Sequence, residues 1–129
     1  MPLKKVMIIE DDEVDTYLTK RVLSDIFFAR EVVAASSVKE GMDYLSGNKK
    51  ELPEIIFLDL NMPEQNGLDF LDAFSGFTAP EKNSTKVILL MNVVNSSDEV
   101  TLKATSHPLV RHVIEKPLTE DKLRNIPVE

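Results

Sequence analysis

The sequence predicts a three-layer, doubly wound α/β sandwich, and two observations predict it. Short apolar runs without polar alternation recur along the chain: Val6-Met7-Ile8-Ile9, Val32-Val33-Ala34-Ala35, Ile55-Ile56-Phe57-Leu58, Val87-Ile88-Leu89-Leu90-Met91, and a weaker run from Val110 to Ile114. Strands that lose alternation are covered on both faces, as in parallel sheets. Between the runs lie segments with apolar residues at helical spacing. Strand alternating with helix is the pattern of a parallel sheet with helices on both sides.

The elements follow in order. The first helix is expected on the i+4 series Val14, Leu18, Val22 and Ile26. The second follows Val38, Met42 and Leu45, and the third Leu68 and Leu71. Val100 and Ala104 give a thinner stripe, and Leu123 with Ile126 closes the chain. The second apolar run is mostly small residues and the fifth carries Arg111 and His112, so both are expected at sheet edges. Residues 47–54 (GNKKELPE) read as a turn-rich, charged connection, and 76–86 (GFTAPEKNSTK) as a polar loop that is long for its class. Neither divides the chain, so residues 1–129 are expected to form one domain. His107 and His112 stand alone and read as surface residues.

Composition excludes several classes of function. A chain of 129 residues buries an ordinary core without staples. It has no cysteine, which excludes a disulfide scaffold and thiolate metal sites. No apolar run approaches the roughly 18 residues needed to cross a bilayer. The apolar stretch near the N-terminus is too short for a secretory signal and runs straight into acids. A soluble, cytoplasmic protein is expected. The formal charge of -7 argues against broad nucleic-acid binding.

In open α/β sheets, ligands bind outside the carboxyl ends of the strands. The first run ends in Glu10, Asp11, Asp12 and Glu13, the third in Asp59, and the fifth in Glu115, Lys116 and Pro117. With the first and third strands adjacent, Glu10, Asp11 and Asp59 converge. Crowded carboxylates repel and need a counter-charge. A hard divalent cation meets that need, and Mg²⁺ suits a partly hydrated oxygen site. Lys116 adds a fixed ammonium. Such a set holds a phosphoryl group while a carboxylate attacks phosphorus. Taken singly, each residue has a plainer reading. Asp12 and Glu13 suit a helix N-terminus, Asp59 a turn cap, and Lys116 the surface. Their joint occurrence at three strand ends carries the functional reading.

These segments resemble the receiver domain of two-component response regulators, over nearly the whole chain. VMIIEDDE is similar to that family's first strand and acidic pair, here Glu10 and Asp11. IIFLDLNMPEQNG fits the pattern D-x-x-M-P-x-x-x-G, with Asp59, Met62, Pro63 and Gly67. EKP fits the lysine–proline pair, Lys116 and Pro117. The resemblance implies a flavodoxin-like fold with strand order 2-1-3-4-5 and Asp59 as phosphoacceptor. It implies Mg²⁺ bound directly by Asp11, Asp59 and the backbone carbonyl of Asn61, with Glu10 acting through a water. Lys116 would contact the phosphoryl group, and the Lys116–Pro117 bond would be cis. The first reading is a stand-alone regulator, since no sequence remains for an output domain, with an excised domain as the alternative. It would be phosphorylated by a histidine kinase or a histidine phosphotransfer protein. Its catalysis would be limited to its own phosphorylation and dephosphorylation. Its output would be contact with a downstream protein, as a monomer or weak dimer, with no nucleic-acid or membrane partner. Phosphorylation adds roughly 1.5 to 2 negative charges and so changes the pull on nearby loops.

Two positions depart from the family. Where it has Thr or Ser at the end of the fourth strand, followed by a small residue, this chain has Met91 and Asn92. A one-residue slip would put Asn92 at the hydroxyl position. Three residues before the lysine, in place of an aromatic ring, stands Val113. Met91 donates no hydrogen bond, and Val113 has no ring to rotate. Losing one charge-assisted hydrogen bond removes about 1.5 to 3 kcal/mol from the switching free energy. Ser96 and Ser97 follow closely but read as helix-cap residues. A second reading is therefore a degenerate receiver that binds its partner without phosphorylation. A third, a Mg²⁺-dependent phosphohydrolase, lacks the paired aspartate, since Asn61 stands two residues after Asp59. Flavin binding is disfavoured because the first strand leads into acids instead of a phosphate-cradling loop.

Overall fold

Val6 to Ile9, Ile55 to Leu58 and Val87 to Met91 are apolar at every position, and every one of these side chains is buried. Such segments must be covered on both faces, and a central strand between two helical layers does this. The computed structural model describes residues 2–60, 62, 67–77, 85–92 and 99–126. Its strands are β1 (Leu3–Ile9), β2 (Ala29–Ala35), β3 (Ile55–Asp59), β4 (Lys86–Met91) and β5 (Val110–Glu115). Its helices are α1 (Glu13–Asp25), α2 (Val38–Gly47), α3 (Gly67–Phe74), α4 (Glu99–Thr105) and α5 (Glu120–Arg124). All pairings are parallel, in the order β2-β1-β3-β4-β5. The two weaker runs are the edges, as their composition predicts.

Alternate side chains of each central strand feed two cores. Met7, Ile9, Ile56, Leu58, Leu89 and Met91 pack with residues of α2, α3 and α4. Val6, Ile8, Phe57, Ile88 and Leu90 pack on the other side with Leu23 of α1 and Leu123 of α5. Each fully buried large side chain contributes about 1.5 to 3 kcal/mol of transfer free energy. Asp12, Ser37 and Thr119 cap α1, α2 and α5, each side chain accepting a backbone N–H from the first turn. Gly41 and Gly67 permit close approach of helix to sheet. A Cβ at Gly41 would lie 2.8 Å from Cδ1 of Ile9, and one at Gly67 would lie 3.0 Å from Cδ1 of Leu60. The second contact explains why the stretch after Asp59 ends in glycine.

On three helices only part of the expected stripe is buried. On α1, Val14 and Leu18 are 65% and 47% exposed, whereas Thr19 and Leu23 are buried. A helix turns about 100° per residue, so an i+4 series drifts about 40° at each step. The Val14–Leu18–Val22–Ile26 line therefore winds from solvent onto the core, where only Val22 and Ile26 pack. On α3 the buried face is Phe70, Leu71 and Phe74, with Leu68 half-buried. On α4 it is Thr101 and Ala104, while Val100 is 37% exposed.

His107 is not the surface residue expected. Its side chain is 13% exposed. Its Nδ1 accepts the Leu109 N–H at 3.2 Å, and its Nε2 lies 3.4 Å from Ser75 Oγ and 3.6 Å from Asp72 Oδ1. The ring thus ties the turn before β5 to α3. His112 is half-buried on β5.

The end of α1 carries a conformational cost. Phe27 and Phe28 donate their N–H groups to Ser24 O and Leu23 O at 3.1 and 2.9 Å. These bonds close the helix with Phe27 at φ 49°, a left-handed position usually given to glycine. Phe27 is also 63% exposed, so its ring recovers little by burial. We expect Phe27→Gly to stabilise the fold by about 0.5 to 1 kcal/mol, the strain relieved less the entropy glycine adds to the unfolded chain. Urea unfolding measures it. In the same assay Phe57→Ala, which empties a fully buried site, costs about 3 to 5 kcal/mol.

Candidate functional site

The register of the sheet sets the site. Ile9 of β1 pairs with Leu58 of β3, so Glu10 and Asp59 come level one step further on. The Glu10 N–H donates to Ala35 O at 3.0 Å, which holds that residue as an extension of the sheet. Glu10 and Asp59 are 3% and 2% exposed, and Asp11 is open to solvent. Ligand oxygens of Glu10, Asp11 and Asp59 all lie within 4.8 Å of one another. Across β4, the Lys116 N–H donates to Met91 O at 2.7 Å, and the Lys116–Pro117 bond is cis. That turn directs the ammonium inward. Nζ lies 2.8 Å from Glu10 Oε1, 3.0 Å from Asp15 Oδ2 and 3.2 Å from Asp59 Oδ1.

The charges do not balance. Glu10, Asp15 and Asp59 share one lysine, and Asp11 stands beside Glu10 and Asp59. Burial, then a hydrogen bond with Asp59, pushes the Glu10 carboxyl up to about 8 from its ordinary 4.5, against the opposing pull of Lys116. Burial alone would lower the Lys116 ammonium. Hydrogen bonds to Glu10 and Asp15 and the charge of Asp59 outweigh it, and the group is raised. The lysine is therefore charged at every physiological pH, and Glu10 keeps its proton to higher pH than an ordinary carboxyl. Three oxygen donors, one of them solvent-accessible, fit a hard, partly hydrated divalent cation such as Mg²⁺.

The remaining expected residues fall as follows. Met91 is 1% exposed and belongs to the apolar core, against which Val113 also packs. Asn92 is exposed and lines a cleft of about 270 Å³ with Asp15, Leu18, Thr19 and Lys116. Asn61, Pro63, Ser96 and Ser97 lie outside the described residues. Met62 is buried in the same core as Leu60. Asp12 takes the plain role of N-cap, accepting the Asp15 N–H at 2.9 Å. Asp15, which accepts from Lys116 Nζ at 3.0 Å, was not among the expected site residues. Its signal was faint: it lies one helical turn beyond Asp11, at the start of the helix nearest the strand ends.

A five-stranded doubly wound domain with clustered acids and a lysine at the strand ends defines the class, and comparison with known proteins gives the family. The family model for the response regulator receiver domain matches residues 6–126. The chain belongs to this family. Its fold closely matches a two-component response regulator from Cytophaga hutchinsonii, at TM-score 0.85 and 28% identity, covering 97% of this chain and 94% of that one. A two-component response regulator from Legionella pneumophila gives TM-score 0.76 at 28% identity, covering 92% and 91%. In sequence, the chain is 30% identical over 114 residues to a protein-glutamate methylesterase/protein-glutamine glutaminase of Methanococcus maripaludis. That match spans 88% of this chain but 28% of the relative. A probable chemotaxis protein CheY of Rhizobium etli is 24% identical over 120 residues, 93% of this chain and 86% of the relative. Among the described residues, no helix is long and apolar enough to cross a membrane.

The raised Glu10 carboxyl has a signed consequence. An acid raised on folding contributes its full stabilisation below its unfolded value, and loses it as pH rises through the folded value. The metal-free protein should therefore lose stability between about pH 5 and pH 8. Urea midpoints across that range measure the decline, and Glu10→Gln should flatten it.

Proposed function

We propose that the chain is a phosphorelay response regulator whose phosphoacceptor is Asp59. The observation that supports this best is the convergence of Glu10, Asp11 and Asp59 on one point, with Lys116 Nζ 3.2 Å from Asp59. The donor would be a histidine kinase or a histidine phosphotransfer protein. An Asp59 oxygen forms the new bond to phosphorus as the donor's bond to phosphorus breaks, and the leaving imidazole departs with its electron pair. Lys116, already charged, pairs with the phosphoryl oxygens. Mg²⁺, held by Asp11, Asp59 and the Asn61 carbonyl with Glu10 acting through water, would neutralise charge on the same oxygens. Residues 1–129 act as one receiver domain in the cytoplasm, as a monomer or weak dimer, and signal by contact with a protein target. The methylesterase activity in the names of several relatives stays with those proteins, of whose length this chain spans 28% or less.

A second reading has its own observation. Met91 places an apolar side chain, 1% exposed, where the family has a hydroxyl, and Val113 packs beside the same core. On this reading the domain binds its target without phosphorylation. Amide shifts on adding Mg²⁺ with acetyl phosphate or beryllofluoride separate the two. Shifts near Asp59 and across Val110 to Glu115 mark a working switch. Shifts confined to Asp59 mark occupancy without propagation, and no shift at all favours the binding module.

Asp59→Asn should abolish covalent phosphate, read by intact mass after acetyl phosphate treatment. The same variant removes one of four crowded acids, so its metal-free urea midpoint should rise. A fall instead would mean that Lys116 needs Asp59 more than the acids repel one another.

A further inference from the structure

Lys116 has a third carboxylate partner that the phosphoacceptor chemistry does not use. Asp15 stands in the first turn of α1, and its Oδ2 accepts from Nζ at 3.0 Å, closer than the 3.2 Å to Asp59. Asp15 is 39% exposed and Lys116 13% exposed, so the pair lies on the solvent side of the site. The ammonium thus spans from buried Glu10 and Asp59 to Asp15 at the rim.

We propose, building on Asp59 as the phosphoacceptor, that Asp15 is a positioning residue that holds Lys116 toward the rim in the unphosphorylated state and gives it up when a phosphoryl group arrives. Two effects act in the same direction. Asp15 competes with the incoming anion for the ammonium. Its own charge also repels that anion at the mouth of the site. Toward Mg²⁺ the sign reverses. Asp15 shares the Lys116 ammonium with Glu10 and Asp59, and so reduces competition between the ammonium and the cation for their oxygens. Asp15 therefore favours the metal-loaded, unphosphorylated protein and opposes the phosphorylated one.

A purely structural role makes a different forecast. Asp15 also favours the N-terminus of α1 electrostatically. Losing that support would loosen the site and weaken every ligand together.

Amide-shift titrations distinguish the two roles. Compared with the unaltered chain, Asp15→Asn should bind beryllofluoride about two- to fivefold tighter at saturating Mg²⁺, the range for a partly exposed ion pair. It should bind Mg²⁺ alone more weakly. Asp15→Glu should restore both toward the original values. Glu13→Gln removes an exposed charge from the same helical turn and should leave beryllofluoride affinity unchanged. The proposal is overturned if both affinities fall together in Asp15→Asn, if neither moves, or if Glu13→Gln reproduces the effect. If the unaltered chain binds no beryllofluoride, the phosphoacceptor reading fails first and this one with it, a result distinct from the other three.

Discussion

One ammonium compensates carboxylates delivered by three separate elements, and the arrangement of the strand ends depends on it. Glu10 extends β1, Asp59 ends β3 and Asp15 opens α1. Lys116 reaches all three from the turn after β5. Buried like charges at this spacing are tolerated only with a counter-charge or a proton. Both act in that direction here: Lys116 is held charged, and the Glu10 carboxyl is pushed up to about 8. The imbalance that remains is an excess of negative charge, which a bound cation relieves.

The core fixes where this imbalance sits. Asp59 follows four fully buried residues on the central strand, and Phe57 beside it is locked into one core while Ile56 and Leu58 are locked into the other. A carboxylate on such a strand cannot turn away toward solvent without unpacking both layers. Asp11 and Asp15 sit where β1 passes into α1, Asp11 open to solvent and Asp15 partly so. Asp59 is thus held rigidly while its more exposed neighbours are less constrained.

Strand content, sheet edges and the meeting of Glu10, Asp11, Asp59 and Lys116 were legible in the sequence. Each rests on local pattern plus one rule, that parallel strands bring their carboxyl ends together. The buried faces of α1, α3 and α4 were less legible, because short apolar series at i+4 do not say where along the drift the core begins. His107 and Asp15 were misjudged or missed for a common reason. Each takes its role from a partner far along the chain, Ser75 for His107 and Lys116 for Asp15, at sequence separations of 32 and 101. No periodicity records a contact of that kind.

Met91 narrows how a change at Asp59 travels. A hydroxyl at this strand end would give two discrete hydrogen-bonded states, the kind of bistability on which a switch is built. A buried thioether is flexible and fills space without selecting between arrangements. Its side chain shares an apolar core with Ala104 of α4, with Val113 packed against that core, so side-chain coupling there is by packing alone. The main chain offers a different connection. The Lys116 N–H donates to Met91 O at 2.7 Å while its Nζ touches Asp59. Lys116 therefore links the charge at the site to the end of β4 in a chain that lacks the hydroxyl.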